Sequence, residues 1–101
     1  MFGKLGDMMG KLQEMKQKAD EVKSKMDATI INVDAAGGDI KIEITGSRHV
    51  KTIEIASALQ HGDKQELEKQ LMDAFNKAIE RADRVNEEEM KKAAGGILPG
   101  L

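Results

Sequence analysis

The chain holds 101 residues, with 16 Lys and Arg against 18 Asp and Glu and a formal charge of -2. That is the size of one small domain, and the near-balance of charge excludes the simple case of a strongly basic nucleic-acid binder. With no Cys, and with Phe2 and Phe75 as the only aromatics, disulfides, thiolate metal sites, a cysteine nucleophile and a base-stacking platform are excluded or not expected.

The first predicted element is a helix over 4–28. Leu5, Met8, Leu12, Met15, Ala19, Val22 and Met26 recur at alternating spacings of three and four, a heptad seam. Gly6 and Gly10 interrupt it, so its first turns are expected to fray. Residues 29–55 change to period two. Ile40, Ile42 and Ile44 alternate with Lys41, Glu43 and Thr45, which describes a strand with one buried face. The β-branched run Thr29-Ile30-Ile31-Asn32-Val33 precedes it, and Val50 to Ile55 follows, with Ile53 and Ile55 on one face and Val50 out of register. Short Gly-bearing connections at 35–39 and 46–49 make this a three-stranded antiparallel meander.

Ser57-Ala58-Leu59-Gln60 reads as one helical turn broken by His61-Gly62. Asp63 then offers a cap and Glu66 the capping-box spacing for a second long helix over 63–94. Its stripe is Leu67, Leu71, Met72, Phe75, Ala78, Ile79, Ala82 and Val85. Gly95-Gly96 is the expected C-cap, Pro99 prevents resumption, and 95–101 is expected to be a flexible tail. The fold class is therefore α+β in a single domain over 1–94: long helix, three-stranded antiparallel sheet, long helix.

The lengths argue for a dimer with projecting helical arms. A helix from Lys4 to Ala28 spans about 37 Å, whereas a compact chain of this size has a diameter of about 34 Å. The second helix is longer still, and strands of roughly 20 Å cannot cover either. The ends must project or pack on a second copy. The dimer interface is not set by the sequence.

Charge placement on the first helix is ordered. With Leu5 at heptad position a, Lys4, Lys11, Lys18 and Lys25 fall at g, and Lys16 and Lys23 at e. A parallel self-zipper would set these lysines against one another. Two arrangements remain. The seam packs on the second long helix, whose charges from Asp63 to Lys92 sum to -2, with lysine stems covering apolar surface. Alternatively, the lysine edges of projecting arms meet phosphate.

In order along the chain, Met1-Phe2-Gly3-Lys4, Leu12-Gln13-Glu14-Met15, Ala36-Gly37-Gly38, Ile40-Lys41-Ile42, Gly46 and Val50–Ile55 are followed by Glu66-Leu67-Glu68. Ala74-Phe75-Asn76-Lys77-Ala78, Glu89-Met90, Gly95-Gly96 and Leu98-Pro99-Gly100 complete the set. The ordered set resembles the YbaB/EbfC family of bacterial nucleoid-associated proteins, essentially end to end. It departs at Ala56-Ser57, where members often carry Asp-Pro, and at Lys77, where an acid is common beside the Asn. The resemblance implies a homodimer that binds duplex DNA through arm helices from both ends of the chain, cytoplasmic and nucleoid-associated, without enzymatic activity. The residues it implies as DNA contacts are Lys4, Lys11, Lys16, Lys18, Lys23 and Lys25 on the first helix and Arg81, Arg84, Lys91 and Lys92 on the last.

Other chemistry finds little footing. His49 and His61 fit no standard zinc spacing, and no Ser stands in a nucleophile-elbow motif. Gly37-Gly38-Asp39 joins two strands and opens no helix, so it lacks a phosphate loop's helix N-terminus. No cofactor, metal, small-molecule substrate or membrane association is expected; no apolar run approaches a membrane span of roughly 20 residues, and no signal-peptide core follows Met1. The alternative function is a structural or adaptor dimer that binds a protein partner through the Met-rich seam. His49 and Arg48 at a hairpin tip suit DNA contact and plain loop polarity equally.

Overall fold

The change of hydrophobic period becomes a change of structure where the spacing predicts it. The computed structural model describes residues 2–97. Phe2–Ala28 forms α1, Ile30–Ala35 β1, Ile40–Thr45 β2, Val50–Ile55 β3, Ser57–Gln60 α2 and Lys64–Ile97 α3. The strands lie in the order β1-β2-β3, both pairs antiparallel. The fold is α+β: long helix, meander, long helix.

α1 runs unbroken through Gly6 and Gly10. It closes at Thr29, whose hydroxyl donates to the Lys25 carbonyl at 2.6 Å while its N–H donates to Met26 O at 3.2 Å. The first hairpin turns through Ala36, Gly37 and Gly38, all at positive φ, a run that two glycines make accessible. In the second, an irregularity between Glu43 and Ile44 shifts the register, so Thr52 faces Glu43 but Val50 faces Ile44. This is a β-bulge with Lys51 as the extra residue. It returns Val50 to the face of Ile53 and resolves the broken alternation of the sequence.

Ile40, Ile42, Ile44, Ile31 and Val33 form the inner sheet face, all buried. Against them lies a ridge of Ala74, Ala78 and Ala82 on α3, each with no exposure. Small side chains at i, i+4 and i+8 let the helix axis approach the sheet closely. Leu71, Phe75 and Val85 flank the ridge. Three residues of the expected stripe are not part of this core: Leu67 is half-buried outside it, and Met72 and Ile79 are exposed. α3 crosses β1 and β2. Lys77 on one side of it donates to Asp34 O of β1, and Asp83 on the other accepts from Arg48 of the β2–β3 hairpin. Met72 and Ile79 share the Asp83 side, which overhangs toward β3.

At its start, Asp63 caps α3 by accepting from Gln65 N at 3.1 Å. Glu66 turns away from the cap and accepts from Gln70 at 3.0 Å. At the other end, α3 continues through Gly95-Gly96 to Ile97. The expected C-cap and the start of the tail at 95 thus fall inside the last turn of the helix. Pro99 and the rest of the expected tail, 98–101, lie outside the described residues.

α1 and α3 pack antiparallel, with Lys25 beside Glu89 and the turn from Lys18 to Val22 beside Lys92 and Ala93. The extents are 70 × 22 × 17 Å and the radius of gyration 19.6 Å, against about 13 Å for a compact chain of this length. The helix pair therefore projects as an arm. Among the described residues no helix is long and apolar enough to cross a membrane.

Candidate nucleic-acid interface

Only the root of the α1 seam is packed. Val22 and Met26 are buried against the body, Ala19 is half-buried, and Met15, Leu12, Met9, Met8 and Leu5 stand exposed. The antiparallel pairing explains the gradient: α3 meets α1 at Lys25 and at the turn from Lys18 to Val22, and among the described residues the preceding turns of α1 have no neighbour. Among the described residues, the outer arm is a single helix with an exposed apolar stripe.

All six lysines of α1 are exposed, on two flanks of the seam. Lys18 and Lys25 line the α3 side, beside Glu89 and Lys92. Lys4 and Lys11 continue that row outward at seven-residue spacing. Lys23 lies on the opposite flank, toward the β2–β3 hairpin, and Lys16 continues that second row. The α3-side row is partly neutralised. Lys25 Nζ donates to Glu89 at 2.9 Å, Lys92 reaches the same carboxylate at 3.6 Å, and Lys18 pairs with Glu21 at 3.5 Å.

Glu89 is the hub of that side. Its side chain is 18% exposed, and the Lys25 hydrogen bond, aided by the charges of Lys25 and Lys92, holds its carboxyl below the ordinary 4.5 against the opposing pull of desolvation. A second link sits at the hairpin tip, where Arg48 Nε donates to Asp83 on α3. That bond lowers the Asp83 carboxyl and raises the Arg48 guanidinium. Arg48 stands at a positive φ of 68° in the turn that its N–H closes on Thr45 O at 3.1 Å.

The candidate contacts of α3 divide as well. Lys92 joins the Glu89 group, and Arg81 lies eleven residues before Lys92 on nearly the same line of α3. Arg84 and Lys91, seven residues apart, fall on the side away from Glu89 and Ala93; all three of Arg81, Arg84 and Lys91 are exposed. Among the described residues these three make no ion pair. The ten cations expected from the resemblance are therefore not brought together: eight lie on the helix pair of the arm, on different sides of it, and Arg81 and Arg84 lie beside Ala82 where α3 packs on the sheet.

The sequence of this arm-bearing fold matches a family model, the YbaB/EbfC DNA-binding family, over residues 1–97. The chain belongs to that family. Curated relatives include a nucleoid-associated protein of Caldicellulosiruptor bescii, 35% identical over 70% of this chain and 64% of the relative. Another nucleoid-associated protein, from Flavobacterium johnsoniae, is 40% identical over 71% of this chain and 67% of its own length. The matched segments thus span about two thirds of these relatives. Among solved structures, the crystal structure of uncharacterized protein HP0035 from Helicobacter pylori aligns with a TM-score of 0.69 at 26% identity, covering 97% of both chains.

Family membership gives the arm a context, and the structure adds residues that sequence spacing passed over. Lys51 reads as one position in a strand, yet the bulge swings it beside Lys23, Ser47 and His49. The signal was present as Val50 falling out of register. Glu89 reads as one of three consecutive acids opposed to phosphate. Its own charge instead faces lysines of the arm, while Glu87 and Glu88 are exposed.

Proposed function

We propose that this protein binds duplex DNA as a homodimer, mainly through contacts of its helical arms with backbone phosphates, and contributes to nucleoid organisation or gene regulation in the bacterial cytoplasm. The observation that carries the reading is the arm itself: a helix that leaves the body with every lysine exposed, in a chain whose net charge is negative. α1 carries six lysines against five acids, but the lysines stand at heptad positions e and g and the acids at b and c. Positive charge is thus segregated onto the flanks of the seam, a local pattern that the total charge conceals. The names of the relatives support the same assignment.

The mechanism is release of condensed counterions as ammonium and guanidinium groups approach phosphates, which supplies affinity without reading bases. Lys4, Lys11, Lys16, Lys18, Lys23 and Lys25 with Arg81, Arg84, Lys91 and Lys92 are the contacts proposed. Those held by Glu89 and Glu21 must exchange a carboxylate for a phosphate. The reading calls for no catalysis and no cofactor.

An uncovered apolar face supports the homodimer. Val50 and Ile53 lie on the inner face of edge strand β3, 37% and 40% exposed, and Met72 and Ile79 of α3 stand exposed on the side that overhangs it. An edge strand with an open apolar face is a template for a second copy. Antiparallel self-pairing centred on Ile53 sets Thr52 opposite Glu54, whereas pairing centred on Glu54 would oppose two carboxylates. We favour the first.

A fluorescent duplex titrated at several salt concentrations tests the reading. With about six phosphates contacted, log affinity falls against log salt with a slope near -5. Absence of binding at low salt would instead favour the adaptor function, for which the bare stripe of Leu5, Met8, Leu12 and Met15 is the specific observation.

A further inference from the structure

The β2–β3 hairpin is fastened to both helices of the arm. Gly46 N donates to Thr29 O at 3.1 Å, and Gly46 packs directly under Met26 of α1. Arg48 ties the tip to Asp83 of α3. Inside the turn, the buried Thr45 hydroxyl accepts from His49 N at 3.0 Å and shares a 2.9 Å hydrogen bond with Ser47. The loop is held at both ends and across its middle, so Ser47 and His49 have fixed positions relative to α1.

Between this hairpin and α1 lies an open hollow of about 440 Å³, lined by Lys23, Asp27, Thr45, Ser47, His49 and Lys51. Lys23 and Lys51 are exposed and, among the described residues, pair with no carboxylate. Two ammonium groups, an imidazole and a hydroxyl converge there against one carboxylate, Asp27. Donors from several directions with surplus positive charge suit a phosphate oxygen cluster. On the other flank of α1, Glu21 and Glu89 already occupy Lys18 and Lys25.

We infer that this hollow seats a backbone phosphate of the bound duplex, with Lys51, His49 and Ser47 extending the Lys16–Lys23 row from the arm onto the sheet. This inference rests on the DNA-binding reading and adds the hairpin edge of the arm as the better seat: among the described residues no carboxylate pairs with Lys23 or Lys51 there, whereas Lys18, Lys25 and Lys92 on the edge facing α3 must first release one. Lys23 and Lys51 supply the charge, and Ser47 and His49 donate hydrogen bonds that orient the phosphate. Asp27 weakens the seat and limits its affinity.

The test uses the full chain and a fluorescent duplex of about 20 base pairs across a salt series. Lys51→Gln is expected to make the log–log salt slope shallower by about 0.9, and Lys23→Gln with Lys51→Gln by about twice that. Asp27→Asn is expected to tighten binding, an effect that a merely structural role would not produce. These side chains are exposed, and unchanged melting curves verify the fold. If the wild-type protein binds while both lysine variants keep its affinity and slope, the inference is overturned and the DNA reading stands. If the wild-type protein does not bind at low salt, both fall. In a parallel arm, inorganic phosphate is titrated while the Ser47 and His49 amides are followed by NMR. Saturation below millimolar phosphate, with duplex affinity indifferent to Lys51, would assign the hollow to free phosphate and overturn the backbone assignment.

Discussion

At Gly46 the reason for a glycine is space, not backbone freedom. The positive φ in its hairpin belongs to Arg48, and Gly46 itself has an ordinary backbone. A Cβ at Gly46 would meet Met26 Sδ at 2.5 Å and, less yieldingly, the Met26 Cβ and Cα at 3.1 and 3.2 Å. A thioether can swing away, but a Cα cannot without moving α1. Gly46→Ala is therefore expected to destabilise the fold by about 1–3 kcal/mol. Each kcal/mol lowers the melting temperature of a domain this size by about 4–8 °C. Gly6 is the control, because a Cβ there meets nothing within 4 Å. Gly6→Ala should raise helix content by circular dichroism without loss of stability. A Gly46→Ala variant that melts with the wild type would show that hairpin and α1 are not in the contact described. The sequence announces the glycine but not its cause, since Met26 lies twenty positions away and only the tertiary fold brings them together.

At the scale of elements, period was legible and coverage was not. The isoleucine alternation of β2 and the one-turn helix at Ser57–Gln60 stand where spacing puts them. The helical stripe of α3 is correct in period, yet Ala74, Ala78 and Ala82 make its buried centre and Met72 and Ile79 its exposed margin. Hydrophobicity ranks methionine and isoleucine above alanine, whereas close packing of a helix on a sheet selects the smaller side chain. The seam between α1 and α3 turns on charge, which spacing located on the lysine side only. Glu89 there has a carboxyl lowered from 4.5 by its bond to Lys25, and Asp83 one lowered from 3.8 by Arg48. A native value below the unfolded one means that the stabilisation is fully present above the ordinary carboxylate range. It is lost as pH falls through the lowered native value. Glu89→Gln is thus expected to melt below the wild type at neutral pH and to converge with it in strong acid. Thermal melts of both proteins between pH 7 and pH 2 measure this. A constant gap at every pH would remove the ion pair as the cause.

For the whole molecule, length arithmetic anticipated the arm, and the 70 Å long axis bears it out. What the sequence left open is how apolar surface at the other end of the molecule is used, because exposure is a property of layers and a lone strand has no record of what covers it. The homodimer proposed here makes one surface explain two behaviours. If copies meet through Val50, Ile53, Met72 and Ile79, each assembly carries two arms, and the second engages DNA already held by the first. Such linkage raises affinity by about 10²–10⁴ without a new contact. Ile53→Glu places a carboxylate at the centre of the proposed pairing, on a side chain already 40% exposed in the single chain, so the fold should survive. Sedimentation is expected to show half the wild-type mass. Duplex affinity should fall by about the factor above, and the salt slope should halve, since each bound chain then releases only its own arm's counterions. A wild-type mass for both Ile53→Glu and Met72→Glu would exclude this face as the interface. Halved mass with an undiminished slope would mean that a single arm carries all the phosphate contacts, and that the dimer serves to hold two duplexes instead of gripping one.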